Sequence, residues 1–154
     1  MATGTKSYAD LAEAVRRHCH PSVIRKDNAE LFKRMVYNIF ISNDDDHLRL
    51  PGWRLSPLYD VLPRASIATE RFLHLGVGPK GRLATLDHAL GSHDKFTLSK
   101  SVACQLMADV WHVVREWRVF FESFGVSALE MDKIAPAFRH IDDVSTSGLR
   151  KLLP

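Results

Sequence analysis

One apolar run constrains the fold of this chain more than any other feature. Its members recur at spacings of three and four residues: Leu31, Phe32, Met35, Val36, Ile39 and Phe40. That spacing predicts one buried face of an amphipathic helix, which we expect to begin at Asp27 or Asn28. The helix leads straight into a polar, strongly acidic stretch, so a buried element and a cluster of charges adjoin in the fold.

The acidic stretch, residues 42–49, reads Ser-Asn-Asp-Asp-Asp-His-Leu-Arg, and a fourth aspartate, Asp60, follows in the segment 55–60. Carboxylates crowded at the end of a buried element repel one another with little solvent screening. Their concentration therefore indicates a bound cation, a phosphate-bound metal or a proton-transfer role.

The rest of the chain predicts a mainly α-helical domain with one irregular insert. Further helices are expected from Ser7 or Asp10 to before Pro21, from Thr85 to Gly91, from Thr97 or Ser99 to Gly125, from Ser127 onward with Pro136 inside it, and as one last turn between Ser145 and Pro154. Residues 71–77 predict a short strand that pairs near residues 53–55 and ends in a glycine-rich turn.

Composition supports one globular domain. The chain has 154 residues, 45% of them apolar and 25% charged, which is typical of a domain with its own core. A net charge of +3 favours anionic partners without indicating nucleic-acid binding. There is no apolar signal region and no run long enough to span a membrane, so we expect a cytoplasmic protein.

The side chains outside the acidic stretch give weaker indications. Cys19 and Cys104 match no metal-binding spacing and are expected to be reduced thiols. Histidines 88, 112 and 140 have no spacing that indicates zinc. The aromatic stripe of the long predicted helix is expected to be core rather than a partner-binding surface: Trp111, Trp117, Phe120, Phe121 and Phe124.

Several roles are open for the acidic stretch from its residues alone. It lacks the glycine and the distal glutamate of an EF-hand calcium loop. A solvated turn after a helix, a metal-dependent nuclease or hydrolase, and phosphoryl transfer all fit. In the last of these one aspartate positions the acceptor hydroxyl and another holds magnesium, and Asp45 and Asp60 are the candidates.

Two segments resemble the HipA family of serine/threonine kinases, the toxins of type II toxin–antitoxin systems. Residues 37–49, Tyr-Asn-Ile-Phe-Ile-Ser-Asn-Asp-Asp-Asp-His-Leu-Arg, are similar to the family's catalytic segment, approximately Phe-Asn-x-x-x-x-Asn-x-Asp-Asp-His-x-x-Asn. Residues 55–63, Leu-Ser-Pro-Leu-Tyr-Asp-Val-Leu-Pro, are similar to the Leu-Ser-Pro-Ala-Tyr-Asp-Leu-x-Pro segment that follows it. The resemblance extends over essentially the whole chain.

The resemblance implies a protein-kinase-like C-terminal lobe with a short β-hairpin near the catalytic loop. It implies that Asp45 is the catalytic aspartate and Asp60 the metal-binding one, with Asn43, Asp46 and His47 shaping the loop. Mg²⁺ and ATP are the implied cofactors. A protein substrate and a small HipB-like DNA-binding antitoxin are the implied partners.

The chain departs from the family pattern in two places. A kinase catalytic loop carries a metal-binding asparagine five residues after its catalytic aspartate, and Leu50 occupies that position here. No glycine-rich loop or strand-borne lysine precedes the acidic stretch. We therefore expect residues 1–154 to be one truncated HipA-like C-terminal domain without its N-terminal ATP-binding lobe, with little or no kinase turnover. The alternatives are a non-catalytic pseudokinase-type interaction module and, less favoured, a metal-dependent hydrolase.

Overall fold

The structure is a computed structural model that describes residues 6–44, 55–58, 60–79 and 81–154. These residues form a mainly helical fold. The α-helices in chain order are α1 (Tyr8–His18), α2 (Pro21–Ile41), α3 (Leu86–Leu90), α4 (Lys100–Val114), α5 (Trp117–Ser123), α6 (Ala128–Ile134), α7 (Ile141–Val144) and α8 (Ser147–Arg150), and two 3₁₀ helices span His93–Phe96 and Ala135–Ala137. Along this part of the chain, no helix has both the length and the apolar character needed to cross a membrane.

Helix α2 is the centre of the core. The six apolar residues that predicted its buried face are all fully buried. Helices α1 and α4 pack against α2, and the ring of Phe96 meets that of Phe32 edge-on at 5.2 Å between centroids. Because α2 is packed on several sides, it fixes the position of the start of the acidic stretch that follows its last turn.

Helix α2 begins at Pro21, which is earlier than the predicted start at Asp27 or Asn28. Proline suits the first position of a helix, since its missing N–H has no acceptor there and its φ is already helical. Helix α1 ends at His18, before that proline, and begins at the predicted cap, where the Ser7 hydroxyl accepts from the Asp10 amide at 3.1 Å.

The strand predicted over residues 71–77 does not form. In its place are isolated bridges within the part of the chain that the structure describes, including an antiparallel one between Phe72 and Leu83. The Leu73 amide donates to the Arg82 carbonyl at 3.0 Å, so it pairs with the segment after the turn, while residues 53 and 54 of the predicted partner segment lie outside the described residues. The short β-hairpin is thus reduced to bridges on either side of a turn.

The single long helix predicted from Thr97 or Ser99 to Gly125 is two helices, α4 and α5. The break lies at Arg115 and Glu116, where Glu116 leaves helical geometry at φ −92° and ψ 14°. Trp117 then stacks flat on Phe138, with 4.1 Å between the ring centroids. This contact with a later segment redirects the chain away from the axis of α4.

The aromatic side chains of the predicted stripe differ in burial before and after the break. Trp111 is partly buried and stacks on Phe40 at 5.3 Å, as a core residue should. Beyond the break Trp117 and Phe121 are partly buried against Phe138, but the core expectation is wrong for Phe120 and Phe124, which are 50% and 85% exposed.

Candidate functional site

The acidic stretch follows α2 directly, and the backbone changes direction at Ser42. This residue is the C-cap of α2 in the left-handed region, with φ 55° and ψ 31°, and is buried. Its hydroxyl donates to the Ala137 carbonyl at 2.8 Å and accepts from the Arg71 guanidinium. A residue held from both sides in an uncommon backbone conformation gives the following loop a defined starting direction.

Asn43 is anchored by a buried amide network. Its side-chain N–H donates to the Asn38 carbonyl oxygen at 3.1 Å, and the Asn38 N–H in turn donates to the Tyr8 hydroxyl at 3.0 Å. Asn43 and Asn38 are each 2% exposed, and Tyr8 is fully buried. The network ties the first loop residues to both α1 and α2.

Asp44 joins the start of the acidic stretch to two later segments. Its carboxylate pairs with the Arg64 guanidinium at 3.1 Å, and its carbonyl accepts from the His74 amide at 3.1 Å. The Arg64 amide also donates to the Ile41 carbonyl at 3.2 Å. The chain that follows Asp60 is therefore fastened to the C-terminal end of α2.

The second motif segment enters from the other end of the same helix. The Leu55 amide donates to the carboxylate of Asp27, which is buried, at 3.0 Å. From Asp27 to Ile41 a helix rises roughly 21 Å, and the nine residues from Leu55 to Arg64 can reach roughly 30 Å. The segment thus begins beside the N-terminal half of α2 and finishes at its C-terminal end.

Asp60 lies in the segment between Leu55 and Arg64 and is exposed to solvent. Its φ is 52°, in the left-handed region that aspartate tolerates better than most residues. Asp60 and Arg64 are four positions apart in the sequence, so their Cα atoms lie within about 14 Å of each other. Through the contact of Arg64 with Asp44, the structure brings Asp60 and the first residues of the acidic stretch to the same end of α2.

Asp45, Asp46, His47 and Leu50 lie outside the described residues, so the roles assigned to them stay predictions. Among the residues that the structure does describe, no three His, Cys, Asp or Glu side chains are grouped as a metal site.

Two arginines that were not identified from the sequence, Arg71 and Arg139, hold the chain at the C-terminal end of α2. The Arg139 guanidinium donates to the carbonyls of Ala84 and Asp143 at 3.0 and 2.9 Å, while its amide donates to the Phe40 carbonyl at 2.8 Å. Burial and the nearby charge of Arg71 lower the pKa of Arg139, and Asp143 partly offsets this. The two guanidinium groups donate to backbone carbonyls and, from Arg71, to the Ser42 hydroxyl, which identifies both arginines as supports of the loop rather than reactive groups.

Tyr8, Asn38 and Arg64 were also missed as parts of the site. Asn38 carried a usable signal, because it is an amide inside an otherwise apolar helical face. Arg64 and Arg139 carried none, since the Asp44 partner of Arg64 and the Ala84 and Thr69 partners of Arg139 are distant in sequence.

Comparison with known proteins gives one match. The family model of the HipA-like C-terminal domain matches residues 2–117, about three quarters of the chain. No curated protein and no solved structure matches it.

Proposed function

The chain belongs to the family of HipA-like C-terminal domains, and from this we propose that it forms the helical C-terminal lobe of a HipA-like serine/threonine kinase. The reaction is transfer of the ATP γ-phosphoryl group to a protein hydroxyl. One observation supports the proposal: the first motif segment is held at the C-terminal end of α2 through Ser42 and Asn43, and Arg64, which directly follows the second, donates its amide to the Ile41 carbonyl there. Phosphoryl transfer needs an acceptor-orienting aspartate and a metal-binding aspartate, supplied by separate loops that meet.

In this proposal each motif residue has one task. Asp45 orients the acceptor hydroxyl and takes its proton, and Asp60 binds magnesium. Asn43, Asp46 and His47 hold the loop in shape, a role that the buried bond between Asn43 and Asn38 supports. Side chains fixed by such hydrogen bonds keep a catalytic group within the narrow range of useful positions.

The donor chemistry fits magnesium. Mg²⁺ prefers oxygen ligands and binds through one or two carboxylates together with substrate phosphates. The Asp60 carboxylate is exposed and makes no ion pair with another residue that the structure describes. When bound, the metal neutralises charge on the ATP phosphates.

We propose that this chain alone has low activity. Leu50 cannot ligate magnesium, no glycine-rich motif stands in the sequence ahead of residues 42–49, and the described residues 6–41 contain helices and no lysine-bearing strand. Phosphoryl transfer depends on positioning and charge neutralisation, so losing these groups removes most of the rate. Calorimetry with Mg²⁺ and ATP should detect no micromolar binding. Micromolar affinity that is lost in Asp60→Ala would contradict low activity while supporting the metal role.

A fusion protein tests the chemistry itself. The N-terminal lobe of a complete HipA-like kinase is joined ahead of Met1 in a chain that also carries Leu50→Asn, and phosphoryl transfer from labelled ATP to protein is measured. We expect transfer that Asp45→Asn abolishes and Asp132→Asn, an exposed matched control, leaves intact. Transfer that survives Asp45→Asn contradicts the assignment. Metal-dependent cleavage of an ester or nucleic acid without ATP would support the hydrolase instead.

An exposed apolar surface favours a second function, that of a non-catalytic module binding an antitoxin or target protein. Phe120 on α5, Phe124 at the C-cap of α5 and Leu129 on the adjoining helix α6 are 50%, 85% and 67% exposed. Grouped apolar residues of this kind are typical of protein-binding sites. Co-expression with a HipB-like antitoxin should then yield a complex that Phe124→Ser weakens and that Val113→Ser, which places the same polar residue at an exposed apolar position of α4, does not.

A further inference from the structure

A continuous groove lies between α2, α4 and the segment 55–58. One part has a volume of about 680 Å³ and the adjoining part about 380 Å³, and both are lined by Glu30, Lys33, Arg34 and Leu106. These volumes fall within the range of small-molecule sites, roughly 300–1,000 Å³. The groove lies toward the N-terminal half of α2, whereas the acidic stretch follows its C-terminal end.

The larger part of the groove contains buried donors without acceptors. Arg34 is 6% exposed, and its Nη1 has no hydrogen-bond partner among the described residues. Ser56 is 4% exposed, and its hydroxyl likewise has none there. Burying a polar donor without an acceptor is unfavourable, and more so when the donor is charged. The missing group is therefore an acceptor, and beside a guanidinium an anionic one is favoured.

The carboxylates in the same part of the groove are already engaged. Asp27 accepts from the Leu55 amide at 3.0 Å, and Glu30 pairs with Lys33 at 2.8 Å and with Arg34 Nε at 3.3 Å. Lys26 adds a further positive charge to the lining. Three basic groups against two acidic ones leave this part of the groove net positive.

The smaller part is mainly apolar and open, and Asp109, whose carboxylate accepts from the Gln105 side chain at 2.8 Å, is the one charged residue that it adds to the described lining. Leu58 and Val113 on its rim are 50% and 59% exposed, and Val110 and Tyr37 form its wall. An apolar surface that is continuous with an anion-binding end suits a ligand that has an apolar body and an anionic group at one end.

We propose that this groove binds a small molecule with an oxyanion at one end and an apolar body at the other. Arg34 and Ser56 hold the oxyanion, and the apolar body lies against Val110 and Val113. The site shares the start of the 55–63 segment with the proposed catalytic site but uses neither Asp60 nor residues 42–44, and it does not depend on the kinase assignment.

Phenyl phosphate, benzoate, inorganic phosphate and phenol are the probes, titrated into the whole chain by calorimetry. Phenyl phosphate should bind more tightly than inorganic phosphate and much more tightly than phenol, and the comparison with benzoate tells which oxyanion is preferred. Arg34→Gln and Ser56→Ala should each weaken phenyl phosphate binding by about tenfold, the effect of losing a hydrogen bond to a charged group. Val113→Ser should weaken phenyl phosphate but leave inorganic phosphate unchanged.

Two exposed residues of α5 provide matched controls. Arg118→Gln and Val119→Ser remove the same groups at positions outside the groove, and Val119 is 61% exposed. Both should bind the probes like the unmodified chain. If Arg34→Gln fails to fold by circular dichroism, Ser56→Ala carries the test, since it removes only a hydroxyl.

Three results would overturn the proposal. One is phenyl phosphate binding no tighter than phenol. Another is unchanged binding in Ser56→Ala. The third is loss of phenyl phosphate binding in Asp60→Asn, which would assign the ligand to the site at the other end of α2.

Discussion

Replacing Asn38 with leucine should destabilise the protein, whereas the same replacement at Asn28 should not. Both asparagines are buried in α2, at 2% and 0% exposure. The Asn38 amide joins Tyr8 to Asn43 through bonds of 3.0 and 3.1 Å. Neither side-chain atom of Asn28 has a hydrogen-bond partner in the described part of the chain.

The magnitude follows from these contacts. Leucine at position 38 removes two hydrogen bonds worth about 1 kcal/mol each and leaves the buried Asn43 amide without its acceptor, so the free energy of unfolding should fall by about 2–4 kcal/mol. For a chain of this size 3 kcal/mol corresponds to about 6–12 °C in Tm. At position 28 leucine removes a desolvated polar group with no partner, so the change should be neutral or stabilising by about 1–3 kcal/mol.

Urea unfolding followed by circular dichroism measures both free energies. Tyr8→Phe is an intermediate case, because it removes only the hydroxyl that accepts from Asn38 and should lower the free energy of unfolding by about 1 kcal/mol. Equal destabilisation by Asn38→Leu and Asn28→Leu would refute the reasoning, since it would mean that volume rather than hydrogen bonding decides the outcome.

Three further predictions concern the segments around the site. Asp27→Ala should release the amide of Leu55 and raise hydrogen exchange over residues 55–58, and unchanged protection there would contradict the anchor. Burial raises the pKa of Glu30, but hydrogen bonds and charge pairing with its two basic partners hold that pKa below the ordinary 4.5. Its contribution to stability is present above pH 4.5 and is lost as the pH falls through the lowered value, so Glu30→Gln should flatten the acid limb of a stability profile; an unaltered limb argues against it. Ser7→Ala removes the N-cap of α1 and should lower the free energy of unfolding by about 1 kcal/mol in urea, whereas no change would mean that the cap is not used.

Local signals in the sequence predicted the parts of the fold that depend on neighbouring residues. The cap of α1, the short helix after Thr85 and the capping box of α6 formed as expected, because each rests on residues within one helical turn. The buried face of α2 was predicted for the same reason.

Features that depend on distant contacts were not predictable. No glycine or proline marks the break between α4 and α5, which the stacking of Trp117 on Phe138 accompanies. Pro21 was predicted to mark the end of α1 and is the first residue of α2, since proline is found both after the end of one helix and in the first turn of the next.

The site divides in the same way. Its motif positions, Asn43 and Asp60 among those described, were identified from sequence because they fall in short recognisable segments. The residues that bring those segments together, Tyr8, Asp27 and Arg64, make contacts over separations of about twenty residues or more, and nothing local distinguishes them.

The central claim is the proposal that Asp60 binds a cation at the end of α2, where one metal site lies beside both acidic segments. Titrating Mn²⁺, a paramagnetic substitute for magnesium, and following the backbone amide signals by nuclear magnetic resonance tests it directly. The account predicts that signals of residues 42–44 and 60–64 broaden together, that Asp60→Asn removes the broadening at both segments, and that the exposed control Asp132→Asn preserves it. Broadening confined to one segment, or persisting at both in Asp60→Asn, would contradict a shared metal site.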